Sequence, residues 1–475
     1  MSTVSLIIPT YNRAWLLPQT LASVLEQTYP HLEIIVVDDG STDDTPAVLA
    51  QYADRVKTIR QENQGETAAR NAGIAAATGA YFTFLDDDDL IFPDKITRQV
   101  QLLESRPDVD VVYCRYYHMD VEGNLLNKTG LMAEGDVLPQ LVYGNFIGIG
   151  APLLPRRCVE TIGLFDAELP FRGKYSEDWD WFLRLALAGF RFACIQEPLC
   201  AYRVVPTSQT ANVASSEQGI LAILTKLFAH PQLPAEIAAA KNHIYAVRRL
   251  WLSGRYYAAG QWAEGQRNLQ EAFTLQPHWQ TDPHEWLDSS LNQAFSYRVA
   301  DPLSFVHDIF THLPPEIASL HDWQAHQTQL LSRIHSRLAL NAYQHDHFSS
   351  AQEHLTVAIQ LNPDLLHEPE RLAEAVGHTA MHLPLASPLV YVDKVLAHLP
   401  PVAQELTRMR RWIYSYVNIA QAFEAHALGH RNLTLRYVGK AVYNRPAWLK
   451  NRGVVAIFLK SLVGFSAQPN RKGKR

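Results

Sequence analysis

The pattern of apolar and polar positions divides the chain into two regions. Up to about residue 205, short apolar runs alternate with stretches of helical spacing. Four runs are typical of strands: VSLIIPTY, LEIIVVDDG, VKTIRQ and AYFTFLDDDD. The segments AWLLPQTLASVLEQT and GETAARNAGIAAATG, which lie between them, are typical of helices. Strands rich in Ile and Val that are separated by helices predict βαβ units and an α/β domain with a mainly parallel sheet.

The predicted sheet brings three polar segments to one edge. Ligands of open parallel sheets bind beyond the carboxyl ends of the strands. The segments at those ends are residues 9–13, 38–41 and 86–89. We therefore expect a binding crevice lined by these three segments.

Four consecutive aspartates, Asp86 to Asp89, follow the apolar run YFTFL. A run of charges usually marks a solvated surface, which accounts well for STDDT at residues 41–45. It accounts poorly for the four aspartates, because the residues before them are too apolar for a solvated approach. Carboxylate oxygens are ligands that Mg²⁺ and Mn²⁺ prefer. The aspartates therefore predict a site for a divalent cation.

From about residue 216 onward the strand patterns end and a helical pattern repeats. Leu-Pro recurs at residues 233–234, 313–314 and 399–400, and an alanine precedes a proline by five residues at Ala272, Ala358 and Ala441. The period of about 80 to 86 residues, with helix pairs similar to tetratricopeptide repeats, predicts three stacked helical units, an α-solenoid. One irregular helical bundle is the alternative.

The change in pattern predicts two domains, residues 1–212 and 213–475. The run PTSQTANVASSEQG at residues 206–219 is rich in small polar residues and is predicted to be the linker between them. A chain of 475 residues is too long for one ordinary core, which agrees with more than one domain.

Composition narrows the class of protein. The chain is 47% hydrophobic and 19% charged, which is typical of globular proteins, and its net charge of −6 gives no general attraction to nucleic acid. The four cysteines show neither a CxxC pair nor zinc spacing, which fits a reducing compartment. The sequence shows no signal-peptide pattern and no apolar run of membrane-spanning length. We expect a cytoplasmic protein with at most peripheral contact with the inner face of the membrane.

Five motifs over residues 3–210 resemble, in this order and spacing, those of a family 2 glycosyltransferase with the GT-A fold. They are VSLIIPTYNR, IIVVDDGSTDDT, NQGETAARNAGI, FLDDDDLIFPDKI and YSEDWDWFLRLALAGF. The resemblance implies an inverting transfer of a sugar from a nucleotide-sugar donor, most commonly a UDP-sugar, to a saccharide or lipid-linked acceptor. It also implies dependence on Mn²⁺ or Mg²⁺. The helical region is outside the resemblance, and its repeats are expected to bind a protein partner if they bind anything.

The resemblance assigns the donor nucleoside to the first predicted edge segment. It implies that Pro9, Thr10 and Tyr11 line the nucleoside and that Arg13 lies nearby.

The second edge segment and the third motif supply further donor-binding residues. Asp39, or its neighbour Asp38, is implied to accept a hydrogen bond from the uracil imide N–H, which a carboxylate does well. Arg70 is implied to approach the base or the diphosphate. A salt bridge from Arg70 to Asp38 or to the acidic run is an equal alternative.

Within the acidic run, Asp86 and Asp88 have the D-x-D spacing of the family. Side chains two residues apart on an extended segment point to one side. Asp88 is therefore the main expected metal ligand, with Asp86 as a second ligand that also faces the donor. Asp87 stands where the family contacts ribose, and Asp89 is a candidate cap for the following segment.

The motif SEDWDWFLRLALAGF reads as a helix with Ser176 as its capping residue and acidic residues in its first turn. As structure alone it needs no catalytic role. By the resemblance, Asp178 is the general base, with Glu177 as the alternative. Trp179 and Trp181 are candidates for stacking on sugar rings, although core packing is favoured for at least one of them.

One departure from the family lies after LCAYR. Many relatives carry a histidine where this chain has Val205, so a third protein ligand for the metal or diphosphate is missing. Arg203 and Ser208 are the candidates to compensate.

Two alternatives remain open from the sequence. An interaction scaffold built on the helical repeats, with a degenerate transferase domain, is the alternative to the enzyme. At the C-terminus, an apolar segment at residues 454–465 precedes Arg471, Lys472, Lys474 and Arg475. We favour packing of this segment, through Val454, Ile457 and Leu462, on the preceding helices over attachment to an anionic membrane.

Overall fold

The computed structural model describes residues 2–130, 132–170, 176–205, 212–296, 299–320, 323–367, 369–382, 388–427 and 430–463. Among these residues, the chain forms two compact units. The first contains residues 1–300 and 311–321, and the second contains residues 301–310 and 322–475.

The first unit is built on one mixed β-sheet. Nine strands are described: β1 Val4–Thr10, β2 Leu32–Asp38, β3 Lys57–Arg60, β4 Tyr81–Phe84, β5 Leu90–Ile91, β6 Val111–Met119, β7 Leu125–Lys128, β8 Leu153–Pro155 and β9 Phe192–Arg203. Their spatial order is β3-β2-β1-β4-β8-β6-β9-β5, with β7 paired to β6.

The sheet is parallel in its first half, as the pattern of strands and helices predicts. β1 lies between β2 and β4, and all four strands from β3 to β4 run in the same direction. Beyond β4 the sheet is mixed, because β8 runs antiparallel to β4 and β6, whereas β6 and β9 pair in parallel. β1 is buried along its whole length, which explains its continuous apolar sequence.

Seven helices accompany the strands: α1 Leu17–Leu25, α2 Thr45–Ala50, α3 Glu66–Ala76, α4 Lys95–Ser105, α5 Leu138–Leu141, α6 Arg156–Ile162 and α7 Glu177–Leu187. The helices that follow are α8 Val213–Phe228, α9 Ala235–Ala239, α10 Lys241–Ala258, α11 Trp262–Leu275, α12 His284–Ala294, α13 Pro302–Thr311, α14 Pro315–Ala318, α15 Trp323–Gln344, α16 Phe348–Leu361, α17 Asp364–His367, α18 Pro369–His382, α19 Pro388–Ala397, α20 Arg410–Ala427, α21 Arg431–Asn444 and α22 Arg452–Val463. Three 3-10 segments lie at Pro277–Gln280, Pro401–Met409 and Pro446–Lys450. The predicted α/β region followed by an all-helical region is thus confirmed.

The core of the first unit extends from the sheet into the first helices after it. Buried residues of α8, among them Ile223 and Leu224, belong to the same apolar cluster as the sheet residues. Lys226 of α8 also binds two carboxylates of the α/β region, with its Nζ 2.6 Å from Asp166 and 2.8 Å from Asp180. The predicted domain boundary after residue 212 stays a prediction. The second half of the predicted linker is wrong, because these residues form the start of α8, which is capped by the Asn212 side chain. Residues 206–211 lie outside the described residues.

A helical hairpin recurs at the spacing predicted from the sequence. It consists of α10 with α11, of α15 with α16 and of α20 with α21, and the second helices begin at Trp262, Phe348 and Arg431. The repeated alanines, Ala272, Ala358 and Ala441, are fully buried. At these positions the small side chain is explained by close packing within each hairpin. None of the described helices is long and apolar enough to cross a membrane.

Candidate active site

Three loops meet at the carboxyl ends of β1, β2 and β4. The Asp39 amide donates to the Thr10 carbonyl, which joins the first two loops. Arg13 joins the first and third loops, with its guanidinium nitrogens 3.6 Å from an Asp87 oxygen and 3.7 Å from an Asp88 oxygen. The structure therefore brings together the three segments that the sequence placed along one edge.

Within the first loop, the predicted nucleoside-binding residues differ in exposure. Pro9 and Thr10 are buried as part of β1, so their contribution is to shape the floor of the crevice. The Tyr11 side chain is 45% exposed and is free to contact a ligand. Asn12, which sequence reasoning missed, has a φ of 53° and accepts a hydrogen bond from the Thr42 amide. The residue type could have indicated Asn12, because Asn adopts the left-handed backbone region more readily than most residues.

Asp38 and Asp39 are both buried, and each carboxylate has defined partners. Asp38 accepts from the Ser41 amide and lies 3.0 Å from the Arg60 guanidinium. Asp39 accepts from the main-chain amides of Gln64 and Gly65, at 3.0 and 2.8 Å, and from the Gln61 side chain. Asp38 therefore stabilises the loop after β2 through Ser41 and Arg60. Asp39 is positioned by the loop before α3, and an ionised carboxylate with three donors keeps acceptor capacity for another.

The four aspartates form a turn, which we call the acidic turn (Asp86 to Asp89), and each has a different environment. The Asp89 amide donates to the Asp86 carbonyl, and the Thr20 hydroxyl donates to the carbonyls of Asp87 and Asp89. Asp89 is buried and accepts from the Arg203 amide at 2.8 Å, so its role is to tie the turn to β9. Asp86, Asp87 and Asp88 are left to face the edge of the sheet.

Burial and mutual repulsion raise the pKa values of two of these aspartates. Burial, with the neighbouring Asp88 carboxylate, raises the pKa of Asp87 to about 7. Burial, with the Asp86 carboxylate, raises the pKa of Asp88 to about 6. Carboxylates that hold protons this tightly are stabilised by a bound cation, so the chemistry of the turn fits a divalent metal.

The described part of the chain contains no group of three or more His, Cys, Asp or Glu side chains arranged as a metal site. Mg²⁺ is commonly held by only one or two carboxylates together with substrate phosphates. The acidic turn fits that open kind of site, in which the ligand set is completed by the donor.

Arg70 of α3 is almost fully buried and joins three carboxylates from three elements. It binds Glu66 one turn earlier on α3, Asp86 of the acidic turn at 2.8 Å, and Glu177 at the start of α7. Burial opposes its charge, yet these carboxylates outweigh burial and raise the pKa of Arg70. The salt bridge to the acidic run is therefore formed. Sequence reasoning missed Glu66, although its spacing of four residues from Arg70 is the signal of a helical ion pair.

Glu177 and Asp178 differ in what binds them. Glu177 is engaged by Arg70, whereas no ion pair joins Asp178 to the described residues. One Asp178 oxygen accepts from the Asn145 side chain at 2.8 Å, and the other accepts from the Trp179 amide. Burial, with the adjacent Glu177 carboxylate, raises the pKa of Asp178 to about 7. Asn145 was missed, because nothing in the local sequence links it to α7.

The predicted cap of α7 is wrong, whereas the core packing that was favoured for at least one tryptophan is found for both. Ser176 has a φ of 66° and its side chain makes no capping hydrogen bond; its main-chain carbonyl accepts from Trp179 instead. Both tryptophans are core residues rather than candidates for sugar stacking. Trp179 donates to the Leu141 carbonyl, and Trp181 stacks on Phe165 with ring centroids 4.6 Å apart.

The residues around the missing histidine are engaged in structure. Val205 is buried. The Arg203 side chain donates to the carbonyls of Asp88 and Val121, at 2.7 and 2.8 Å, so it holds the acidic turn through its main chain. Ser208 lies outside the described residues.

A helix after the sheet reaches the loop that carries Asn145. Arg248 of α10 donates to the Tyr143 carbonyl at 3.2 Å and lies 5.3 Å from the Trp179 ring centroid. The backbone of Gly144 comes so close to this guanidinium that a Cβ on Gly144 would lie 2.7 Å from it. Arg248 thus supports the two segments that carry Asn145 and Asp178.

Comparisons with known proteins show which family the chain resembles. The model for Glycosyl transferase family 2 matches residues 5–147. An uncharacterized glycosyltransferase of Rickettsia prowazekii is 34% identical over 226 residues, which are 45% of this chain and 67% of that protein. The putative teichuronic acid biosynthesis glycosyltransferase TuaG of Bacillus subtilis is 31% identical over 213 residues, 44% of this chain and 82% of TuaG. The crystal structure of S. aureus TarS matches with a TM-score of 0.42 and 18% identity. The match covers 70% of this chain and 52% of TarS.

Proposed function

Because the chain belongs to glycosyl transferase family 2, we propose that it transfers a sugar from a UDP-sugar to a hydroxyl group of a saccharide or lipid-linked acceptor. The observation that carries the proposal is the difference between the partners of the Glu177 and Asp178 carboxylates. Arg70 binds Glu177, whereas no cation of the described residues forms an ion pair with the Asp178 carboxylate, whose pKa is raised to about 7. A carboxylate with that pKa is suited to take a proton at neutral pH.

The donor binds along the edge of the sheet. Tyr11 contacts the nucleoside, and Asp39 accepts a hydrogen bond from the base, since its carboxylate is held in place by the loop before α3. Arg13 lies beside the acidic turn, where it contributes positive charge toward the diphosphate. Arg70 acts indirectly, by fixing Asp86.

Asp88, with Asp86, would hold Mn²⁺ or Mg²⁺ together with the diphosphate. The bound cation supplies neutralisation of the charge on the leaving nucleoside diphosphate. Asp87, between them, is placed for the ribose hydroxyls.

The transfer is a single displacement at the anomeric carbon. The acceptor oxygen forms a bond to that carbon while the bond from carbon to the diphosphate oxygen breaks, and the acceptor proton passes to Asp178. Attack opposite to the leaving group gives inversion of configuration. The Asn145 side chain orients Asp178 by donating to it.

The acceptor class is proposed from a relative. TuaG is named for teichuronic acid biosynthesis, which supports a role for this chain in the synthesis of a cell-wall or surface polysaccharide. The helical repeats are proposed to bind a partner protein or part of the acceptor.

Donor hydrolysis with a panel of UDP-, dTDP- and GDP-sugars, with Mn²⁺ and with chelator, tests the proposal. We expect release of UDP from one UDP-sugar that requires the metal, is slow when water is the acceptor and increases when the correct acceptor takes the sugar. A chain that hydrolyses none of them, and binds no nucleotide, would support the scaffold alternative instead. A product that retains the donor configuration would contradict the single displacement.

The cation assignment is tested separately by Asp88→Asn. Removing one anionic ligand at the edge of the sheet should abolish Mn²⁺-dependent binding of UDP in calorimetry, with no change in fold. Asp54→Asn, at a surface carboxylate that is 79% exposed, is the matched control. Full affinity for UDP in Asp88→Asn would refute the assignment.

A further inference from the structure

Residues 430–463 carry basic residues and no acidic ones. Between residues 430 and 463 the sequence contains no Asp or Glu, and its basic residues are Arg431, Arg436, Lys440, Arg445, Lys450, Arg452 and Lys460. The whole chain has a net charge of −6, so this segment is opposite in sign to the rest. An unbalanced basic segment is an electrostatic footprint for an anionic partner.

Exposed leucines lie among these basic residues on the last helix and the turn before it. On α22, Arg452, Leu459 and Lys460 are exposed at spacings i, i+7 and i+8, which place them on one side of the helix. The preceding 3-10 segment ends in exposed Leu449 and Lys450. Leu462 is also exposed. We call these six residues the basic apolar face.

The opposite side of α22 is packed. Val454 and Ile457 are buried in a cluster with residues of α20 and α21, as the sequence led us to expect. Leu462 was expected to pack there as well, and this is wrong, because its side chain is 46% exposed. Leu449 and Leu459 are 61% and 52% exposed. The helix is therefore anchored by one side and presents two leucines, a lysine and an arginine elsewhere on its surface.

Helix α21 shows the same combination. Leu433, Arg436, Lys440 and Tyr443 are exposed at spacings i, i+3, i+7 and i+10, and the Tyr443 side chain is 88% exposed. Two successive helices thus mix exposed apolar and basic side chains.

We propose that the basic apolar face docks the protein on a bilayer that contains anionic lipid. An anionic membrane satisfies both properties of the face, since its headgroups attract the cations and its acyl boundary takes up the leucines. Nucleic acid or another hydrophilic polyanion would attract the cations but leave the leucines in water. The 12 residues of α22 extend about 18 Å, less than the roughly 30 Å of a bilayer core, so the helix lies in the plane of the surface.

Vesicle flotation of the full chain tests the proposal, and it does not depend on transferase activity. Vesicles of phosphatidylcholine are compared with vesicles that also contain phosphatidylglycerol. One variant carries Lys450→Gln, Arg452→Gln and Lys460→Gln, and a second carries Leu449→Gln, Leu459→Gln and Leu462→Gln. The control carries Val390→Gln and Arg408→Gln, an exposed valine and an exposed arginine of the same unit.

We expect the unmodified chain and the control to float only with anionic vesicles and to be released by high salt, because salt screens the attraction. About 1 kcal/mol per basic residue predicts roughly 100-fold weaker partitioning for the basic variant. The leucine variant should also lose most of its binding. Unchanged thermal unfolding of all variants would show that the fold is retained.

Three outcomes would overturn the proposal. The first is absence of flotation by the unmodified chain. The second is equal flotation of the unmodified chain and both variants. The third is full binding by the leucine variant with loss in the basic variant, which would show that charge alone attracts the chain and that the leucines do not enter the bilayer. Donor hydrolysis in solution is recorded for each variant, so that failure of docking and failure of the proposed function are told apart.

Discussion

Single carboxylates in the candidate active site differ through their partners rather than through their residue type. Glu177 is bound by Arg70 and Asp89 by the Arg203 amide, and both therefore support structure. Among the residues that the structure describes, the hydrogen-bond donors to Asp178 are neutral: the Asn145 side chain and the Trp179 amide. Burial raises the pKa of both Glu177 and Asp178, and Arg70 opposes this rise at Glu177 through a direct salt bridge and hydrogen bond.

Asp178→Asn should therefore separate binding from chemistry. We expect donor affinity close to that of the unmodified protein and a turnover lower by about 10²-fold or more, the usual effect of losing a positioned base. Steady-state kinetics with the acceptor and calorimetry with UDP measure the two quantities. Glu177→Gln is the comparison, since it breaks the pair with Arg70 and should lower stability first. Full turnover in Asp178→Asn with loss in Glu177→Gln would reverse the assignment.

The same residue predicts the pH dependence of transfer. The base is active when deprotonated, and its pKa is raised to about 7. The value of kcat/KM for the acceptor should consequently rise with pH through about 7 and level off above it. In Asn145→Ala the midpoint should shift upward, because a donated hydrogen bond that favours the carboxylate is removed. Rate profiles between pH 5.5 and 8 in both proteins check this, and a flat profile would exclude Asp178 as the titrating base.

The sequence alone predicted these residues only in part. Asp178 was chosen through the family motif, and the acidic turn through its position after an apolar strand. The partner of Glu177 was beyond prediction, because Arg70 lies 107 residues away and the tertiary fold alone brings the Arg70 side chain of α3 to the start of α7. The tryptophans of α7 were ambiguous for a similar reason, since local sequence does not tell which side of an amphipathic helix meets the core.

At the scale of elements, the Arg70 side chain connects three separate segments. It joins α3, the acidic turn and α7, while the sheet holds the same elements by apolar packing. Strands and helical hairpins were easier to predict than sites, because they depend on the periodicity of apolar residues along the chain. The GT-A fold expected from the motifs is confirmed by the sheet together with the family assignment.

Arg70→Met should lower the free energy of unfolding by about 3–5 kcal/mol, the usual cost of breaking a buried ion pair from one side. The variant leaves Glu66, Asp86 and Glu177 close together without a cation. Chemical denaturation measures the loss. Arg106→Met, which breaks an exposed pair with Asp108, is the control and should cost about 1 kcal/mol or less. Equal stability of the two variants would show that Arg70 has no structural role.

For the whole molecule, the first helices after the sheet complete its core. Side chains of α8 and α10 pack in the same cluster as β1 and β4, and Lys226 of α8 binds two carboxylates of the α/β region. The shared core of the sheet, α8 and α10 was not predicted from the sequence, because the pattern changes sharply from strands to helices near residue 212. Which side chains are buried together depends on the tertiary arrangement.

A chain ending at Val205 should therefore fail to fold, and one ending at Leu320 should fold and hydrolyse the donor. The shorter chain exposes the apolar partners of Ile220, Ile223 and Leu224, each worth about 1.5–3 kcal/mol, against a total stability of about 5–15 kcal/mol. Soluble yield, thermal unfolding and donor hydrolysis of the two chains check the expectation. Equal stability and activity would place the functional boundary near residue 212 after all.

The hydrogen bonds from Arg203 to the acidic turn also set the order in which the site matures during synthesis. Arg203 follows Asp89 by 114 residues. At about 5–20 residues per second, a ribosome adds it on the order of ten seconds after the aspartates. Until β9 emerges, β5 and β6 lack their neighbour and the turn lacks its restraint. The nascent chain therefore spends this interval with open strand edges, which is when protection by a chaperone matters most.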